Sequence, residues 1–141
     1  MLNILIVDDE RLAREGVRDI MQEFYPDDRI YCFERSDEAM EAARNTDFHI
    51  ACLDVQMEPY NGIETAEYLV KRCPKCNIIF TTGYDSFTGE AMALHASGYI
   101  LKPVTKKKLE KVISSFVICI TPCAFRAYIY LYERIEGRAK K

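Results

Sequence analysis

Short, unbroken apolar runs alternate with stretches of helical spacing along most of the chain, and this alternation restricts the fold more than any other feature. Ile4-Leu5-Ile6-Val7 is β-branched, continuously apolar and ended by two aspartates, as a strand buried on both faces should be. Residues 10–24 then place Leu12, Ala13, Val17, Ile20, Met21 and Phe24 at helical spacing. The pattern repeats with a strand at Ile30–Phe33 and a helix opened by Ser36 as its cap, with Asp37 and Glu38 in an acidic first turn. A strand at Ile50–Asp54, a helix from Gly62 to Cys73 and a strand at Asn77–Thr81 follow. A short helix from about Ser86 to Ala96, a strand at Tyr99–Leu101 and a helix starting near Thr105 complete the series. The stripe of that last helix is Leu109, Val112, Ile113, Phe116 and Ile120. Five strands alternating with five helices predict a parallel sheet with right-handed crossovers and helices on both faces.

The doubly wound solution for such a chain is the flavodoxin-like strand order 2-1-3-4-5, in which ligands bind beyond the strand carboxyl ends, between strands one and three. Chemistry gathers at that place. Asp8 and Asp9 end the first strand, Asp54 the third, Thr81 and Thr82 the fourth, and Lys102 the fifth. Three converging carboxylates repel one another unless a hard cation neutralises them, and Mg²⁺ favours a few carboxylates together with waters and phosphate oxygens. A hydroxyl and an ammonium beside the cation suit the remaining oxygens of a phosphoryl group. Charge agrees with this division. Residues 1–101 carry nine basic and nineteen acidic side chains, whereas residues 102–141 carry ten basic and three acidic. An acidic body disfavours phosphate capture by charge alone, and the basic end reads as partner-facing.

These residues identify a resemblance over about residues 1–118. Val7-Asp8-Asp9, Leu53-Asp54, Asn61-Gly62, Thr82-Gly83 and Tyr99-Ile100-Leu101-Lys102-Pro103 stand in the order and spacing of the receiver domain of bacterial two-component response regulators. The resemblance implies that Asp54 is the nucleophile, taking a phosphoryl group from a phosphohistidine of a sensor histidine kinase as an acyl phosphate. It implies that Asp9 holds Mg²⁺ directly and Asp8 mostly through water, with Asp54 and the Gln56 carbonyl as further ligands. Lys102 would pair with phosphoryl oxygens, Thr82 would hydrogen-bond one of them, and Tyr99 would swing inward when Thr82 moves. Such a chain is a phosphoacceptor with self-catalysed transfer and autodephosphorylation, not a conventional enzyme. The stretches 84–87, 93–96 and 99–103 resemble receivers of transcription regulators. DNA would then be reached only through an output domain absent from these 141 residues. A stand-alone receiver acting by protein contact is the alternative. Lys106, Lys107, Lys108 and Lys111 mark the expected partner or homodimer face.

The chain departs from the family where Met57-Glu58-Pro59 replaces a direct Met-Pro. Glu58 makes the loop beside Asp54 more acidic and is expected to affect donor access or acyl-phosphate lifetime. Tyr84 is expected to shield the phosphoryl group from water. Two rival readings fit less well. A haloacid-dehalogenase-type phosphatase wants Asp-x-Asp after its first strand, and this chain has Asp8-Asp9-Glu10. A flavodoxin wants a hydroxyl-rich phosphate loop there, and two carboxylates repel a flavin phosphate. Cys73-Pro74-Lys75-Cys76 has the spacing of half a zinc site but no second pair, so it reads as incidental. His49 and His95 lie away from the crevice. Cys32 and Cys52 read as reduced core thiols, and the N-terminus lacks the basic, apolar character of a secretory signal, so the expected location is cytoplasmic with no membrane contact. The expected division is a receiver at 1–120 and a C-terminal extension at 121–141. Phe125, Tyr128, Ile129 and Tyr132 fall at helical spacing, while Tyr128, Tyr130 and Tyr132 alternate with Ile129 and Leu131 as a strand would. The terminal cations Arg138, Lys140 and Lys141 favour the helix, packed on the receiver or on the same tail of a second chain.

Overall fold

A computed structural model describes residues 1–83 and 96–116. The strands are β1 (Asn3–Val7), β2 (Arg29–Phe33), β3 (Ile50–Asp54), β4 (Asn77–Thr82) and β5 (Gly98–Leu101). The described helices are α1 (Arg11–Phe24), α2 (Ser36–Ala42), α3 (Gly62–Arg72) and α4 (Lys106–Ile113). All strand pairs are parallel, in the expected order β2-β1-β3-β4-β5. The helix expected over Ser86–Ala96, together with Tyr84, His95, Cys119, Ile120, Cys123 and the extension at 121–141, lies wholly or almost wholly outside the described residues.

Strand alternation explains the two layers. Leu5, Val7, Leu53, Ile78 and Phe80 point to one face and pack with Ala39 of α2, Ala43 just after it, and Ala66 and Leu69 of α3. Ile4, Ile6, Cys52, Ile79 and Ile100 point to the other and pack with Val17 and Met21 of α1 and Leu109 and Val112 of α4. Every residue of β3 is buried, so its run is apolar until Asp54. Each fully buried Ile, Leu or Phe contributes on the order of 2 kcal/mol, which holds the carboxyl edge rigid where charge collects.

Two expectations need correction. Ser36 does not cap α2: Arg35 occupies the cap position without a side-chain bond, and Ser36 is the first helical residue. The last helix ends at Ile113, so Phe116 is not on its stripe, although it still packs on the α1–α4 face. The hydroxyls of Ser114 and Ser115 bond back to the carbonyls of Lys111 and Val112, and the Ser115 and Phe116 amides make tighter three-residue turns. Serine competes with the helical backbone in this way.

The thiols fit the core reading. Cys52, Cys73 and Cys76 are buried and all four described cysteines are free. Cys32 and Cys52 both register with Ile6, which puts them two strands apart, roughly 10 Å and beyond disulfide reach. Burial, with the neighbouring Cys73 next, pushes the Cys76 thiol well up, which disfavours a thiolate ligand. His49 accepts the Asn3 amide through Nδ1 at 3.0 Å, a fastening at the amino end of the sheet.

Candidate functional site

The carboxyl ends of β1, β3 and β5 deliver Asp8, Asp54 and Lys102 to one point. Asp8 is 3% exposed and Asp54 5%, while Asp9 is open to solvent. Carboxylate oxygens of Asp8, Asp9 and Asp54 lie within 4.8 Å of one another. Lys102 Nζ sits 3.0 Å from Asp8 Oδ2 and 3.5 Å from Asp54 Oδ2. The other Asp8 oxygen accepts the Glu10 amide at 2.9 Å, and Asp54 Oδ1 accepts the Gln56 amide at 3.3 Å. Asp8 is thus engaged at both oxygens, and Asp9 is the carboxylate that faces water.

Electrostatics make the cluster unstable in its ionised form. Burial, then the charge of Asp8, pushes the Asp54 carboxyl up from 3.8 to about 7, with Lys102 opposing the rise. For Lys102, burial works to lower the ammonium pKa, and the hydrogen bond and charge of Asp8 with the charge of Asp54 outweigh it, so the net shift is upward. Three carboxyls and one ammonium leave the site short of positive charge. A hard divalent cation among these oxygen donors would supply it, so the residues present fit Mg²⁺.

Gly62 explains how the loop after β3 closes over this point. A Cβ there would land against the Asp54 carbonyl oxygen and 2.8 Å from Val55 Cα, so only glycine lets α3 start against the backbone of the acidic strand. Asn61 caps α3 through the Glu64 amide at 2.9 Å, and Glu64 answers to the Asn61 amide at 3.1 Å. The loop borders an open cleft of about 540 Å³ lined by Asp9, Val55, Gln56, Met57, Glu58 and Asn61.

The remaining predicted residues fall where strand order puts them. Thr82 is buried at the end of β4, in register with Leu101, and its carbonyl accepts the Lys102 amide at 2.7 Å. Tyr99 is half-buried on β5 opposite Phe80, packed against the α2–α3 face. Residues 4–114 match the model of the response regulator receiver domain.

The chain belongs to that family. A response regulatory protein of Yersinia pestis is 33% identical over 114 residues, 81% of this receiver chain and 48% of the relative. The transcriptional regulatory protein LytR of Staphylococcus aureus is 34% identical over 113 residues, 80% and 46% of the two chains. The receiver chain therefore spans about half the length of these relatives. Among solved structures, the response regulator protein TrrA of Thermotoga maritima in complex with Mg²⁺-BeF is similar at a TM-score of 0.71 and 26% identity, covering 83% of this chain and 100% of that one. Among the described residues, no helix is long and apolar enough to cross a membrane.

Sequence reading missed three side chains that hold the receiver's site by its backbone. Arg14 Nη1 donates to the Asp8 carbonyl at 2.8 Å. Ser36 grips the loop after β3. Lys108 Nζ donates to the Leu101 and Pro103 carbonyls at 2.9 and 3.0 Å, on either side of Lys102. Lys108 was expected on a partner-facing basic surface, and so was Lys106, which lies 3.5 Å from Glu23 Oε2. Both therefore also make contacts within this chain.

Proposed function

We propose that this receiver accepts a phosphoryl group on Asp54 from a sensor histidine kinase in the presence of Mg²⁺, and that the modified state regulates transcription through a linked output domain. The observation that carries the reading is Asp54 itself: a buried carboxylate at a strand end, within 4.8 Å of two others and 3.5 Å from an ammonium. Asp9, Asp54, the Gln56 carbonyl and, through water, Asp8 would hold the cation. Bound there, Mg²⁺ supplies charge neutralisation for the carboxylates and for the incoming phosphoryl oxygens.

A carboxylate oxygen of Asp54 attacks phosphorus, forming a P–O bond as the P–N bond to the donor imidazole breaks. The imidazole leaves with the electron pair and takes up a proton. Lys102 orients the transferred oxygens by charge, and Thr82 donates its hydroxyl to one of them. Thr82 moving toward the phosphoryl group vacates space for Tyr99, which shifts the population of the β5–α4 surface. That surface then meets a partner or a second copy of the chain. The output assignment is supported by LytR, a transcriptional regulatory protein of which this chain spans 46%.

Incubation with Mg²⁺ and a small acyl phosphate should add one phosphoryl group by intact mass, and Asp54→Asn should add none. Full labelling of the variant would sink the assignment.

A further inference from the structure

The loop between β3 and α3 is gripped from a distant part of the chain. Ser36 has 0% exposure and makes no cap for its own helix. Its Oγ instead accepts the Tyr60 amide at 2.8 Å, and its own amide donates to the Glu58 carbonyl at 3.3 Å. These two bonds hold the loop on either side of Pro59, across a sequence separation of 24 between Ser36 and Tyr60. Within the loop, the Gln56 amide bonds Asp54 Oδ1 and the Gly62 amide bonds the Val55 carbonyl at 2.8 Å. The segment from Asp54 to Gly62 is therefore an arc tied at its base to the acidic strand and fastened at its crest by Ser36.

We infer that Ser36 is a positioning residue that sets the Gln56–Glu58 backbone against Asp9 and Asp54, and thereby sets the affinity of the site for a divalent cation. The inference rests on the cation site of the proposed function. Ser36 touches no reacting group and acts through the loop. Its buried hydroxyl gives a directional constraint that an apolar side chain lacks, and its loss leaves the Tyr60 amide unpaired. The crest is then held by the Ser36 amide alone, which lets the Tyr60 side of the arc lift and loosens the Gln56–Glu58 backbone beside Asp9.

The test titrates the full chain with Mg²⁺ alone while amide signals of residues 54–62 are followed by NMR. Labelling by a small acyl phosphate is measured separately over the same range of Mg²⁺. Ser36→Ala should raise the Mg²⁺ half-saturation about fivefold, the order expected of one buried hydrogen bond. The maximal labelling rate should stay within about twofold, because saturating cation draws the loop back. Ser36→Cys, close in volume but a weak acceptor, should shift in the same direction and carries the test if the alanine variant does not fold. Ser97→Ala is the structural control. Ser97 is a buried hydroxyl that donates to Asn77 Oδ1 at 2.8 Å, at the far end of the sheet, and its loss should lower the melting temperature but leave half-saturation unchanged. Wild-type half-saturation in the Ser36 variants, or an equal shift in Ser97→Ala, overturns the inference. A wild-type chain that binds Mg²⁺ but is never labelled sinks the phosphoacceptor reading and leaves Ser36 judged on the Mg²⁺ titration. A chain with no response to Mg²⁺ overturns both.

Discussion

Asp54→Asn should stabilise the metal-free fold, and it should do so only at high pH. The folded state raises the Asp54 carboxyl from 3.8 to about 7, through burial first and the charge of Asp8 second. The sign follows from where the proton sits. Below about pH 4 both folded and unfolded chains carry it, and the stability that belongs to neutral Asp54 is fully present. As pH rises through about 7, the unfolded chain has already ionised and the folded one must follow, so that stability is lost. A rise of roughly three units corresponds to about 4 kcal/mol at about 1.36 kcal/mol per unit, which is a ceiling on the penalty at about pH 8. Asparagine escapes that penalty, in which the opposing pull of Lys102 is already counted, but its amide must find partners where a carboxyl stood, which offsets part of the gain. A net gain of about 2 kcal/mol is therefore expected, or roughly 7 °C in Tm for a chain of this size. Thermal melts in EDTA should show that gap at about pH 8 and near-coincident curves at about pH 4.5. Adding Mg²⁺ at the higher pH should raise the wild type and leave the variant where it was. A gap of equal size at both pH values would refute the argument, because ionisation would then not be its source.

Gly62→Ala should destabilise by about 2 kcal/mol and slow labelling, since its Cβ meets the Asp54 and Val55 backbone; Gly16→Ala, with open space within α1, should stabilise by about 1 kcal/mol. Denaturant midpoints moving in the same direction for both would contradict this account. Deleting residues 122–141 should leave a folded, labelled chain that self-associates more weakly, measured by sedimentation. An unchanged oligomeric state would exclude the tail as a dimer contact.

The sheet was legible because β3 and β1 carry their burial in their composition: short apolar runs that meet a carboxylate at their carboxyl end have few other places to go. The convergence of Asp8, Asp9, Asp54 and Lys102 was legible for the same reason, as strand order alone brings parallel carboxyl ends together. Ser36 was not. A serine followed by two acids has the composition of a helix cap, and nothing local distinguishes that role from a hydroxyl turned toward Tyr60. The backbone contacts of Lys108 were hidden for a related reason. In a run of three lysines the one that bonds the Leu101 and Pro103 carbonyls is chosen by helix phase and loop path, not by residue type. Asn61-x-x-Glu64 carried a readable capping-box signal that places the start of α3 to the residue.

These backbone fastenings, none of them visible in the sequence, have a common physical logic. Arg14, Ser36 and Lys108 come from α1, α2 and α4, and each fastens one of the three chain segments that form the site. Each bonds backbone groups rather than the acidic side chains: the Asp8 carbonyl, the Glu58 carbonyl and Tyr60 amide, and the carbonyls flanking Lys102. Bonding the carboxylates directly would have relieved their repulsion with a fixed cation and lowered their demand for an exchangeable one. Fastening the backbone instead holds Asp8, Asp9 and Asp54 close together while, among the described residues, Lys102 alone pairs with them. A site built this way keeps its strongest attraction for ligands that come and go.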